Sequence, residues 1–301
     1  MTLSSPRALI TIAATAAAAL VLGSCGAITP SSEAFNVDGT SFSKSELNTL
    51  SADLVAAGQI SGSNGTVSAK DMGSLVSTMI QYTAGKNVLK EYGATLNPAD
   101  VSAARAQLGQ SQLNGLSEET VSLLAEFAAM GKAFDTIKSP ADIEKRYTAD
   151  PMSTGVLCVS EITVATESEA RDVLDRLAGD ETFAKVAADT TTDKEYRATG
   201  GNVEDVNGMS CFALGSLLPK IGVTALGALA HLAPGTPSNP VKDDSGWHIL
   251  MNRPWADISA DHATALKDRT GRQFLAGYLA TADIRVNSTY GTWNPVLAQV
   301  E

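Results

Sequence analysis

Apolar positions between residues 35 and 147 recur at intervals of three and four, the spacing of helices that bury one side. The stretch opens with two short extended pieces around Asp38-Gly39, a dipeptide that favours a hairpin turn. Ser43 and Glu46 have capping-box spacing, and Leu47, Leu50 and Leu54 then fall on one helical face. Residues 59–70 read as a loop by composition. A second helix is expected from about Met72 to Tyr92, stopped by Gly93. Asn97-Pro98 opens a third helix with Val101, Ala104 and Leu108 inward, and Ser117 a fourth with Val121, Leu124 and Ala128 inward. The pattern then changes. Residues 155–164, GVLCVSEITV, have the β-branched, apolar character of a buried strand. Thr166 and Glu169 form a second capping box ahead of Ala170, Val173, Leu174 and Leu177, and Phe183 and Val186 mark a short helix. Gly200-Gly201 turns the chain, helical spacing returns near 215–231, and Gly246 to Asn252 form a closing strand. From Ser259 to about Ala282 the chain is helical again, and it ends in an extended segment holding Tyr290 and Trp293. The expected fold class is α+β, with an α+β unit inserted between helical flanks that pack on each other.

Composition changes this picture little. The chain has 301 residues, a formal charge of −11 and 44% hydrophobic residues, enough apolar surface for a core. The acidic balance argues against a nucleic-acid partner, which would need a basic face. No spacing of metal ligands, nucleophile–base pair or phosphate loop is present, so no cofactor is expected. The N-terminal residues 1–24 carry one charge, Arg7, and an apolar stretch from Ala8 to Leu22 too short to span a bilayer, as in a signal peptide. Leu22-Gly23-Ser24-Cys25 resembles a bacterial lipobox, which implies lipidation at Cys25 and residues 25–34 as a tether. That leaves Cys158 and Cys211. An even remainder in an exported protein points to one bridge between them, with two buried free thiols as the alternative.

Of three histidines, His231 and His262 read as surface helix residues. His248 lies inside the closing strand, in SNPVKDDSGWHIL, where period-two geometry puts it on one face with Leu250, opposite Trp247 and Ile249. It is either a packed strand residue or half of a site.

Residues 155–253 resemble a parvulin-type peptidyl-prolyl isomerase domain. The resemblance is carried by SEITVATESEARDVLDRLAGDETFAKVAADTTTD, by GGN, and most specifically by HLAPGTPSNPVKDDSGWHIL. FNVDGTSFSKSELN and VNSTYGTWNP, in the flanks, resemble the helical region of SurA- and PrsA-like secretion foldases. The implied organisation is a helical SurA-N-like domain at 35–147, a parvulin-like domain at 148–255, and a C-terminal helix and tail at 256–301 packed on the helical domain. The implied site is two histidines, an Asp or Cys, and an apolar pocket for the substrate proline. His248 matches the second family histidine. Asp193 falls near the Asp/Cys position, with Asp189 as a second candidate. The first family histidine is replaced by Glu161, and the family's Gly-Gly-Asp-Leu-Gly run appears as Gly200 to Glu204. The pocket candidates are Met209 and Phe212 by region and Ile221 and Leu226 by register. The implied function is a membrane-anchored, extracytoplasmic folding factor acting on unfolded or partly folded exported proteins. Its parvulin domain is expected to be divergent, weak or inactive; the alternative is an active prolyl isomerase.

Overall fold

A computed structural model of the chain describes residues 32–63, 66–109 and 113–301. The expected leader and Cys25 lie outside them.

The chain begins with β1 (Glu33–Val37) and β2 (Thr40–Ser43), an antiparallel hairpin. Its turn residues Asp38 and Gly39 both have positive φ, 46° and 84°, as a two-residue primed turn demands. The Ser43–Glu46 capping box starts α1 (Lys44–Ala56), which buries Leu47, Leu50 and Leu54. A two-stranded ribbon, β3 (Gly62–Ser63) and β4 (Thr66–Val67), occupies part of the expected loop. Ser68 caps α2 (Ala69–Glu91), three residues ahead of the expected start. Then come α3 (Pro98–Gln107), under the Asn97 cap, and α4 (Glu118–Asp135), under Ser117. On α4 the buried face is Val121, Ala125 and Ala129, whereas Ala128 is exposed. This helix carries apolar residues at both the three and four spacings, so periodicity alone does not choose between two adjacent faces.

After α5 (Ile143–Ala149) and a 3₁₀ turn at Pro151–Thr154, β5 (Val156–Val164) runs through the middle of a second sheet. It is followed by α6 (Glu167–Ala178), α7 (Phe183–Thr190), α8 (Lys194–Ala198), β6 (Cys211–Ala213) and α9 (Leu214–Leu229). The hairpin β7 (Val241–Asp243) and β8 (Gly246–Asn252) completes the sheet, in the order β6-β5-β8-β7 with every pairing antiparallel. Helices α6 and α7 cover Ile162, Val164 and Ile249 on one side. Helix α9 covers Leu157, Val159 and Leu250 on the other. All nine residues of β5 are buried, because its free edge beyond β6 is also bonded: Val203 N–H to the Val159 carbonyl (3.0 Å), Glu161 N–H to the Gly201 carbonyl (2.7 Å) and Thr192 N–H to the Thr163 carbonyl (2.7 Å).

The chain returns through α10 (Trp255–Leu266) and α11 (Thr270–Thr281) to β9 (Ile284–Val286), which pairs with β1. The first and last segments thus share a sheet in the order β2-β1-β9, and Tyr290 and Trp293 pack on the same core as Leu47 and Leu54. The tail closes with a short ribbon, β10 (Trp293–Asn294) and β11 (Gln299–Val300). A further cluster joins the flanks to the sheet: Met130 and Phe134 of α4 meet Tyr147, Val156, Ile258 and Phe274.

His262 is not a surface residue. It is 0% exposed, Nε2 lies 3.1 Å from the Thr154 hydroxyl, and its ring stands edge-on to Tyr147 and Trp255. It shares the i, i+4, i+8 stripe of Ile258 and Leu266, which α10 turns inward. His231 is exposed, as expected, but sits in a turn past the end of α9.

Cys158 and Cys211 form a disulfide. They are directly opposed in the β5–β6 register, with Cα atoms 4.2 Å apart.

Candidate functional site

Glu161, Thr163 and His248 come together because strand parity puts them on one face of β5 and β8. The β5–β8 register sets Thr163 opposite His248 and Glu161 opposite Leu250. Glu161 therefore reaches His248 diagonally, one pair along, within range of long side chains on one face of an antiparallel pair. Its Oε1 lies 2.5 Å from His248 Nδ1, and the Thr163 hydroxyl donates to the same oxygen at 3.2 Å. Both side chains are buried, with 6% of His248 and 5% of Glu161 exposed.

The other ring nitrogen is held as well. His248 Nε2 lies 2.8 Å from Asp243 Oδ1 and 3.1 Å from the Ser245 hydroxyl. The two-residue turn Asp244-Ser245 places Asp243 opposite Gly246, hence on the face of His248. Gly246 has φ 143°, and a Cβ there would meet the Val164 carbonyl oxygen at 2.5 Å, so the turn beside the site needs glycine. Ser245 also braces Asp243, its backbone N–H and hydroxyl both donating to Oδ1 at 2.7 Å.

A carboxylate oxygen at each ring nitrogen favours the imidazolium form, in which both nitrogens donate. The bond to Glu161 holds the His248 pKa above its ordinary 6.5; burial opposes this, and Asp243 adds to it. Burial works against ionised Asp243, but hydrogen bonds from Ser245 and His248 outweigh it and bring its pKa down to about 2.

A cleft of about 450 Å³ opens beside this group. Thr192, Asp193, Tyr196, Lys220, Ile221 and Gly222 line the rest of it. Asp193 is thus at the cleft, and its Oδ1 caps α8 by accepting from the N–H groups of Glu195 (2.8 Å) and Tyr196 (3.0 Å). Asp189 lies elsewhere, paired with Arg176 at 2.7 Å. Of the four pocket candidates only Ile221 faces the cleft. Phe212 and Leu226 are packed with Leu157 and Leu217 between sheet and α9, because apolar side chains on that face are the ones α9 needs for its own burial. Met209 belongs to the loop before β6, where its N–H donates to Asp205 at 2.9 Å. The Gly200–Gly201 turn has a positioning role: Gly201 receives the Glu161 N–H, and Asn202 accepts from the Ser160 hydroxyl at 2.9 Å. Sequence reading missed Asp243, Ser245 and Thr163. Strand parity and the turn length in VKDDSGWHIL carried the signal for Asp243, while nothing in the sequence pointed to Tyr196 or Lys220. Among the described residues, no group of His, Cys, Asp or Glu side chains is arranged to hold a metal ion, and no helix is long and apolar enough to cross a membrane.

Comparison with known proteins relates part of the chain to a known family. Residues 158–253 match the rotamase family described as the PPIC-type PPIase domain. The chain is 28% identical over 185 residues to foldase protein PrsA 2 of Listeria innocua, covering 61% of this chain and 57% of that protein. It is 36% identical over 115 residues to foldase protein PrsA of Clostridium botulinum, covering 38% of this chain and 32% of that protein. The match therefore spans less than two thirds of either relative. Among solved structures, PrsA from Bacillus subtilis aligns at 20% identity over 83% of this chain and 93% of its own, with a TM-score of 0.30.

Proposed function

We propose, from the match of residues 158–253 to the PPIC-type PPIase domain and the likeness to PrsA foldases, that this chain is a SurA/PrsA-like, membrane-anchored extracytoplasmic folding factor whose isomerase activity is weak or absent. Its clients are unfolded or partly folded exported proteins, and its anchor is the lipid on Cys25. The anchor reading rests on the lipobox-like sequence. It is tested by Cys25→Ala, which should release the protein from the membrane or block its maturation; unchanged retention of an unlipidated protein refutes it.

One observation carries the isomerase reading: His248 is clamped between two carboxylates, 2.5 Å from Glu161 and 2.8 Å from Asp243. Rotation about a peptide bond faces a barrier of ~18–20 kcal/mol. A catalyst lowers it by binding the twisted amide better than either planar form, through fixed dipoles and a dry slot for the proline ring. In this clamp both N–H donors of His248 are spent on Glu161 and Asp243, so neither is offered to a substrate carbonyl. Carboxylates surround the ring where the family has a second imidazole. Ile221 is the one aliphatic side chain lining the cleft, a thin surface for a proline ring.

The test pairs two assays on the wild-type protein. Uncatalysed prolyl isomerisation takes tens to hundreds of seconds, so catalysis shows directly as a shortened relaxation of a proline peptide. The expected result is little or no shortening, together with suppressed aggregation of an unfolded client. Acceleration by orders of magnitude that His248→Ala abolishes while the fold persists would make the Glu161–His248 pair a working variant of the site.

A further inference from the structure

We propose that the cleft beside His248 takes the cationic side chain of a client's lysine or arginine, seated against Glu161 and Asp243. This rests on the cleft being where the client segment sits, and adds which residue chemistry it prefers.

The first observation is an unused acceptor. Glu161 is 3% exposed; its Oε1 serves His248 and Thr163, while its buried Oε2 has no hydrogen-bond partner among the described residues. A buried carboxylate oxygen left unpaired is costly, and a donor arriving from the cleft removes that cost. The second is charge. Three carboxylates line the cleft, Glu161, Asp193 and Asp243, against two cations, His248 and Lys220. The His248 charge is already paired on both sides. Lys220 directs its ammonium to the Glu204 carbonyl at 3.5 Å and lies over the Phe212 ring, 4.9 Å from its centre. Asp243 stands at the mouth with 39% of its side chain exposed, open to an incoming charge. Tyr196 registers the same field: burial first, then the charges of Glu161, Asp193 and Glu195, push its hydroxyl pKa up. Tyr196 also lines the cleft, and aromatic rings attract cations. Because these groups are not arranged to hold a metal ion, the fitting occupant is an organic cation that brings its own N–H donors.

The experiment measures binding of three labelled pentapeptides to the full chain by fluorescence anisotropy. They differ only in the residue before a single proline: lysine, alanine or glutamate. NMR of the His248 ring reports occupancy of the cleft. Lysine is expected to bind tightest and glutamate weakest, with a ratio of roughly five- to tenfold at low salt, the scale of partly exposed charge pairs. The ratio should shrink as ionic strength rises past ~0.15 M. Asp243→Asn and Glu161→Gln should each reduce it severalfold, and Lys220→Gln should increase it. If Glu161→Gln loses its fold, Asp243→Asn at the exposed mouth decides. Equal binding of all three peptides with a shifted His248 signal overturns the charge preference and leaves the cleft as a peptide site. No His248 shift with any peptide overturns both.

Discussion

The disulfide between Cys158 and Cys211 closes a loop of 53 residues that contains α6, α7 and α8. Removing it with the paired change Cys158→Ala, Cys211→Ala frees that loop in the unfolded chain. With 53 residues in the loop, the chain-entropy relation gives about 4 kcal/mol at 25 °C, inside the 2–5 kcal/mol typical of native bridges. Both sulfurs are fully buried against Tyr147, Val156 and Ile258, so the smaller alanines add a packing loss rather than relieve one. The loss should appear in urea unfolding. Trp255 is a suitable probe because it packs on the same cluster. With an m-value of about 2–3 kcal/mol per molar, the midpoint should fall by more than ~1 M. Dithiothreitol should move the wild type toward the variant and leave the variant unmoved. A midpoint change below ~0.3 M at unchanged m would refute the reasoning: the loop would then be as constrained without the bridge as with it.

Four further outcomes are expected. Because His248 has a folded pKa above its ordinary 6.5, its contribution to stability is fully present below 6.5 and is lost as pH rises through the folded value; urea midpoints from pH 6 to 9 should fall more in the wild type than in His248→Gln. Asp243 works in the opposite window, its contribution being present above 3.8 and lost as pH falls toward 2; since its side chain is 39% exposed, the part removed by Asp243→Asn should stay below ~1 kcal/mol by the same urea measurement. On α11, a Cβ at Gly277 would lie 2.4 Å from the Ser153 carbonyl oxygen and 2.6 Å from the Gly155 nitrogen, both backbone atoms; Gly277→Ala should cost about 3 kcal/mol or more and lower the thermal midpoint. Finally, Glu161→His introduces the histidine that the parvulin resemblance implies at this position and releases His248 from one carboxylate; proline-peptide relaxation should become faster than with the wild type, and an unchanged rate would mean that the cleft itself lacks a proline slot.

The sequence alone set much of this protein. Local chemistry is written locally: the Ser43–Glu46 and Thr166–Glu169 boxes, the Asp38-Gly39 turn and the Gly246–Asn252 strand are where residue type and spacing put them. Strand parity set His248 and Leu250 on one face and Ile249 on the other, and their burial under α9 and α6–α7 follows that division. The family likeness also rests on short blocks that the chain carries in order. Tertiary structure decided what depends on residues far apart in sequence. Which of two adjacent faces of α4 is buried was set by α3, α11 and α2 packing on it, since its apolar residues allow both. His262 is a core residue only because α10 turns its stripe onto Tyr147 and Thr154. Phe212 and Leu226 look like pocket residues in sequence, but the burial requirement of α9 takes them into the core. Above all, the diagonal reach of Glu161 to His248 depends on a β5–β8 register between residues 87 apart in sequence. A shift of one residue would turn the carboxylate to the opposite face of the sheet.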